Sequence, residues 1–143
     1  MNKRVTSFYV ETLILILVFV AVILALTHVF GLAKKQSEEA KILTSAVTLA
    51  QNAAEAFSAA DSAESLFSLL DEGGNAALEG GKVTASYGTD MKPDPDGVLR
   101  VEIERVSGSP QTAEGTVRVV RRDTGEEIYA IGTAAYYPED MET

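Results

Sequence analysis

The sequence contains no cysteine and a single histidine, His28, and both features limit the chemistry available to the chain. Without cysteine there is no disulfide, no thiolate nucleophile and no cysteine-ligated zinc. Because His28 lies inside a long apolar run, no Ser/His/Asp or Cys/His arrangement can form in the rest of the chain. Gly73-Gly74 and Gly80-Gly81 lack the lysine and the strand-to-helix context of a phosphate-binding loop. We therefore predict that the protein is not an enzyme and uses no cofactor or metal.

Positive charge is scarce beyond residue 35, where 8 Lys and Arg residues stand against 20 Asp and Glu residues. Phosphate binding requires a basic surface, so we predict no nucleic acid partner. An acidic region of this kind also stays away from anionic membrane surfaces.

Proline is rare too, and none precedes Pro93, so nothing interrupts a helix in the first half of the chain. Glu11 stands before an uncharged run of 22 residues, Thr12 to Ala33, which Lys34-Lys35 closes. As a helix this run spans about 33 Å, against about 30 Å for the hydrocarbon core of a bilayer. We predict a leader or processing region at 1–11 and a transmembrane helix at 12–33. A cleaved signal peptide is the alternative, but its apolar segment usually has only about 7–15 residues.

Basic residues flank both ends of the apolar run, so counting them does not settle the orientation of the helix. The N-terminal tail is too short to form a domain, and the acidic bulk of the chain lies downstream. We therefore expect a single-pass protein of the cell membrane, with residues 1–11 in the cytoplasm and the C-terminal domain outside the cell.

The apolar run continues into an amphipathic helical segment, predicted for residues 34–72. Its apolar positions recur at steps of four and three, as on one helix face: Leu43, Val47, Ala50, Ala54 and Phe57. One helix is expected from about Phe8 to Phe57. Its many alanines could cover a sheet or form a packing surface between subunits. Asp61 with Glu64 predicts a new helix start, of either a second, short helix or a kinked continuation of the first.

Residues 73–143 are predicted to form a head domain of three or four antiparallel strands, because the apolar period changes to two. The predicted strands are Val83–Tyr87, Val98–Val106, Thr116–Arg122 and Glu127–Tyr137, with loops at Asp90–Gly97 and Gly108–Gly115 and a hairpin turn at Asp123–Glu126. The predicted fold class is α+β, a long N-terminal helix packed on a small antiparallel sheet.

Three aspartates in the first of these loops, Asp90, Asp94 and Asp96, invite comparison with a calcium site. The EF-hand spacing fails, because Lys92 and Ile103 would occupy its first and twelfth positions. We interpret the segment as a proline-rich turn.

The pattern of the whole chain resembles that of type IV pilins and pseudopilins. The resemblance rests on a short basic leader at Lys3-Arg4, then Phe8, then Glu11 ahead of an apolar helix that continues into an amphipathic helix and a small sheet. It implies a pilin-like fold, insertion as a single-pass precursor, trimming by a membrane peptidase, and packing of helix on helix into a filament.

In that family the peptidase cuts between a glycine and a phenylalanine, and a glutamate at the fifth mature position neutralises a neighbour's new amino terminus. Here Ser7 stands where the family has glycine, so the implied processing site is Thr6, Ser7 and Phe8. Glu11 is the fourth residue of a chain cut before Phe8, and the fifth of one cut before Ser7.

Glu11 is the predicted assembly residue. A carboxylate in hydrocarbon costs several kcal/mol unless it is protonated or paired. In a bundle of helices, a cation on an adjacent chain would pair with Glu11 and penalise misaligned neighbours. The simpler interpretation is an acid at the membrane interface of a plain anchor.

Two functions follow as expectations. The first is a structural subunit that is anchored in the membrane and assembles, with copies of itself or related pilin-like subunits and with assembly machinery, into an extracytoplasmic filament or a secretion or DNA-uptake apparatus. The alternative is a single-pass anchored binding or accessory domain that does not polymerise.

Overall fold

The computed structural model of the protein describes residues 3–109 and 111–137. Its elements are α1 (Lys3–Ala59), α2 (Ala63–Leu70), β1 (Ala76–Glu79), β2 (Lys82–Tyr87), β3 (Leu99–Ser109), β4 (Thr112–Arg121) and β5 (Glu127–Tyr136). The α+β class, with a long N-terminal helix and a small antiparallel sheet, is confirmed. The acidic tail predicted at Pro138–Thr143 lies outside the described residues.

The chain divides into two compact units, Met1–Ala40 and Lys41–Thr143. In the first unit the described residues are helical throughout, and the side chains from Lys3 to Ala40 are exposed except for the partly exposed Thr12. Helix α1 is long and apolar enough near the N-terminus to cross a membrane, the one helix in the described part of the chain with this property. Gly31 lies within it without interrupting the helix.

In the second unit, residues 41–59 of α1 pack on the sheet through a face that is rotated from the predicted one. Ala50 and Phe57 are buried as expected, but Leu43 is exposed. The buried positions are Ser45, Ala46, Leu49, Ala50, Ala53 and Phe57. Apart from Leu49 and Phe57, this buried face is made of small side chains.

The sheet is fully antiparallel, in the order β1-β2-β3-β4-β5. The predicted hairpin at Asp123–Glu126 joins β4 to β5, and Gly125 supplies the positive φ of 71° that this turn requires. Strand β1 was not predicted, because Ala76–Glu79 is too short to show a period of two. Its place in the sheet comes from pairing with β2, where Leu78 lies opposite Val83.

The predicted loop at Gly108–Gly115 was wrong, because β3 and β4 extend into it and pair there. At its two glycines, Gly108 and Gly115, neighbouring atoms lie too close to leave room for a side chain. A Cβ at Gly108 would lie 2.6 Å from the carbonyl oxygen of Thr112, across the hairpin. A Cβ at Gly115 would lie 2.8 Å from two ring carbons of Phe57. Phe57 therefore packs its ring directly against the backbone of β4.

The core lies between residues 46–59 of α1 with the following Ala60, helix α2 and the inner face of the sheet. Its largest fully buried side chains are Leu99, Ile103, Val83, Val101, Val117 and Val119. They come from β2, β3 and β4, the inner strands, where alternation directs every second residue to the same face.

Helix α2 begins one residue later than predicted, because its N-cap is Ser62 and not Asp61. The Ser62 hydroxyl accepts a hydrogen bond from the Ser65 amide at 3.1 Å. Glu64 is in the first turn, where a negative charge stabilises the helix dipole.

A buried asparagine ties the segment after α2 to β2. Asn75 accepts a hydrogen bond from the Glu72 amide at 2.7 Å and donates one to the Ser86 carbonyl at 3.1 Å. Burial raises the pKa of the neighbouring Tyr87, and the Glu72 carboxylate raises it further, although a side-chain hydrogen bond with Asn75 opposes both. The segment therefore joins the core through polar contacts that are satisfied within the fold.

Candidate functional site

Glu11 lies in the third turn of α1, with its side chain exposed. The residues of the predicted processing site, Thr6, Ser7 and Phe8, precede it in the same helix and are also exposed. Proteolysis favours exposed loops over helices, so cutting at these positions requires the first turns of α1 to unwind.

Glu11 shares one helix face with residues that sequence reasoning did not group. The positions recur at alternating steps of three and four, which keeps them on one side of a helix. We call this set the Glu11 face: Arg4, Ser7, Glu11, Ile14, Val18, Ala21, Ala25 and His28. It combines Glu11 and His28, two of the three ionisable residues between Val5 and Ala33, with three of the smallest side chains of that segment. The spacing alone would have revealed it.

The remaining surface of this segment is made mainly of large apolar side chains. Leu13, Phe19, Leu24 and Phe30 are among those that are more than half exposed. In lipid, large apolar side chains face the acyl chains, while small and polar residues face neighbouring helices. The segment thus has one face suited to helix contact and a broad remainder suited to hydrocarbon.

The aromatic pair at the start of the apolar run makes a contact within the helix. The ring centroids of Phe8 and Tyr9 are 6.1 Å apart, with the planes at 68° to each other. An edge-to-face pair of this kind is favourable, and aromatic rings are enriched at the membrane interface.

His28 does not approach Glu11, although both belong to the Glu11 face. They are 17 residues apart, which is about 25 Å along a helix. The neighbouring hydroxyl of Thr27 donates to the Ile23 carbonyl at 2.8 Å, so this polar group is satisfied within the helix. The side chains of Glu11 and His28 therefore do not contact each other within one chain.

In the second unit, a cleft of about 530 Å³ opens at the end of the sheet where β3 joins β4. Phe57, Leu66 and Ile103 form apolar walls, and Arg105 also lines it. Arg105 lies opposite Gly115 on β4, and the Phe57 ring covers Gly115 beside it. Within the described residues Arg105 has no ion-pair partner. Sequence reasoning missed the cleft, because strand register brings these residues together.

In the loop Asp90–Gly97, each aspartate makes its own local contacts, and the carboxylates do not gather around one point. Asp90 accepts from the Lys92 amide at 3.1 Å, and Asp94 accepts from the Asp96 amide at 2.9 Å. Asp96 also pairs with Arg122 at 3.7 Å. Across residues 3–109 and 111–137, no group of three or more His, Asp or Glu side chains is placed to hold a metal ion.

Comparison with protein-family models, with curated proteins and with solved structures gives no match to this chain. The likeness to pilins therefore rests on the N-terminal residues and the element order alone.

Proposed function

We propose that the protein is a structural subunit that is anchored in a membrane by residues 12–33 and assembles, through α1, with copies of itself or with related subunits. Residues 1–11 would face the cytoplasm, and the sheet domain would be displayed outside the cell. The observation that supports the proposal best is the Glu11 face, which places most of the charged and small residues of this segment in one line on an exposed helix whose remaining side chains are mainly large and apolar.

The carboxylate of Glu11 explains why such a face would favour assembly. At the membrane interface of a monomer it stays hydrated, whereas between packed helices it needs a cation. Arg4 lies seven residues earlier on the same face, or about 10 Å along the axis. Two parallel helices offset by this distance would bring Glu11 of one copy beside Arg4 of the next. In a processed chain, the new amino terminus would replace Arg4.

A relocated acid tests this role. Glu11→Ala should leave membrane insertion intact and abolish assembly, measured as sedimentable filament or cross-linked oligomer from native membranes. The matched variant carries Glu11→Ala together with Thr12→Glu, which keeps an acid at nearly the same depth but turns it by about 100° to another face. We expect it to remain unassembled. Normal assembly of Glu11→Ala would show that Glu11 is not needed for assembly. Restored assembly in the matched variant would show that the acid need not lie on the Glu11 face.

A second function, an anchored binding domain that does not polymerise, is favoured by the open cleft at Arg105 and by Ser7 in place of the family's glycine. Mass spectrometry of the protein from its native membrane separates the two. A new N-terminus at Ser7 or Phe8 favours the assembling subunit, and an intact N-terminus in a monomer favours the binding domain.

A further inference from the structure

The two edges of the sheet differ in length and in charge. The edge strand β1 has four residues and ends at Glu79. The edge strand β5 has ten residues, and those from Ile128 to Tyr136 carry no charge. Proteins commonly protect a long edge with lysine, proline or a bulge. On β5 the register shift with β4 occurs near Glu127, and the stretch beyond it is regular.

The register shows which backbone groups of β5 face away from the sheet. The Tyr137 amide donates to the Gln111 carbonyl at 2.7 Å, so the residues of β5 with odd numbers turn toward β4. Ala130, Gly132 and Ala134 therefore direct their amide and carbonyl groups to the free edge. The Ala134 carbonyl accepts from the Ser58 hydroxyl at 3.4 Å. The other edge groups of these three residues have no partner within the described parts of the chain.

The side chains of these residues leave the edge open. Ala130, Gly132 and Ala134 are exposed on the outer face of the sheet, while Ile131 and Thr133 turn inward. A Cβ built at Gly132 meets nothing within 4 Å. An incoming strand would therefore meet the free backbone groups of Ala130 and Gly132 and no bulky side chain, while at the Ala134 carbonyl it would have to replace the Ser58 hydroxyl.

Charge indicates what pairs with this edge. The chain has a net charge of −9, so most approaches between two copies bring acids together. Two β5 strands that run antiparallel, with Gly132 at the centre, place alanine opposite alanine and no charge opposite a like charge. We propose that β5 forms an intermolecular sheet with β5 of a second copy of this chain, a symmetric contact that does not depend on the role of Glu11.

The absence of cysteine makes this contact directly testable in the full chain in detergent micelles. Gly132→Cys should form a disulfide-linked dimer on mild oxidation, at least about tenfold faster than Thr84→Cys, because Thr84 is on the inner strand β2. Equal rates for the two variants would overturn the proposal.

Gly132→Lys supplies the second measurement, since it sets two lysines against each other at the centre of the contact. It should weaken the dimer by at least about tenfold in analytical ultracentrifugation. Thr116→Lys is the control, because Thr116 lies opposite Gly132 on β4, an inner strand. Both lysine variants should be measured with and without Glu11→Ala, which separates this contact from association through α1.

A Glu11→Ala protein that stays monomeric, or a dimer that Gly132→Lys and Thr116→Lys weaken equally, would overturn the proposal. The edge would then be free for an extended segment of a different protein.

Discussion

Residues 3–40 and residues 41–137 use the same apolar side chains in opposite ways. Val18 is 52% exposed and Phe30 is 70% exposed, whereas Val117 is 0% exposed and Phe57 is 6% exposed. The second region buries its own core, as a water-soluble domain does. The first has no apolar partner within its own unit, so its side chains require a partner from outside, either lipid or neighbouring helices.

The largest effect we expect comes from placing the same substitution in both regions. Val117→Asp buries an unpaired carboxylate in the core and should destabilise the head by at least about 4 kcal/mol, enough to unfold much of it. Val18→Asp should leave the head folded and should disfavour membrane insertion by about 3 kcal/mol. Urea unfolding and the fraction of protein resistant to alkaline extraction measure the two effects. If Val18→Asp unfolded the head, the head would not fold independently of residues 3–40, contrary to this prediction.

A smaller effect of opposite sign is expected from alanine at two glycines. Gly115→Ala would press a methyl group into the Phe57 ring and should cost about 1–3 kcal/mol in the free energy of unfolding. Gly31→Ala meets nothing within 4 Å in a helix interior and should stabilise α1 by about 1 kcal/mol. Denaturant titration tests the first variant, and the amide exchange rates around residue 31 test the second. A neutral Gly115→Ala would show that Phe57 can move aside.

The smallest effect is a dependence on alkaline pH that belongs to the head. The folded state raises the pKa of Tyr87 above its ordinary value of 10.0, so the neutral phenol is favoured on folding. Stability should be constant below about pH 10 with respect to this group, and should fall as pH rises through the raised pKa. Tyr87→Phe should remove this fall, whereas Tyr136→Phe, at an exposed position, should retain it. Thermal unfolding between pH 8 and about 11 measures the difference.

Strong local signals predicted both helices and four of the five strands, all except β1. The absence of proline before Pro93 and the long apolar run predicted a helix close to α1, and the alternation of Leu99, Val101 and Ile103 predicted β3. The predictions failed where a neighbour decides the conformation. Gly108 and Gly115 look like loop residues in sequence, but β3 and β4 pair at both positions. Thr112 and Phe57 approach these positions too closely for a side chain, which explains the glycines.

The candidate site divides in the same way. The Glu11 face depends on helical spacing alone, so the sequence contains the information needed to predict it. The cleft at Arg105 depends on the register between β3 and β4, and the open edge of β5 depends on which strand ends the sheet. No periodicity within one segment contains that information.

By itself, the sequence determined that the first region exposes apolar side chains with one acid before them, and that an α+β head follows. These properties come from composition and from periods of 3.6 and 2, which local backbone geometry imposes. Only the tertiary structure decided which face of α1 is buried, where β1 pairs, and which backbone groups of β5 stay open. Each of these depends on contacts between distant residues, because close packing and strand pairing are satisfied by the whole domain at once.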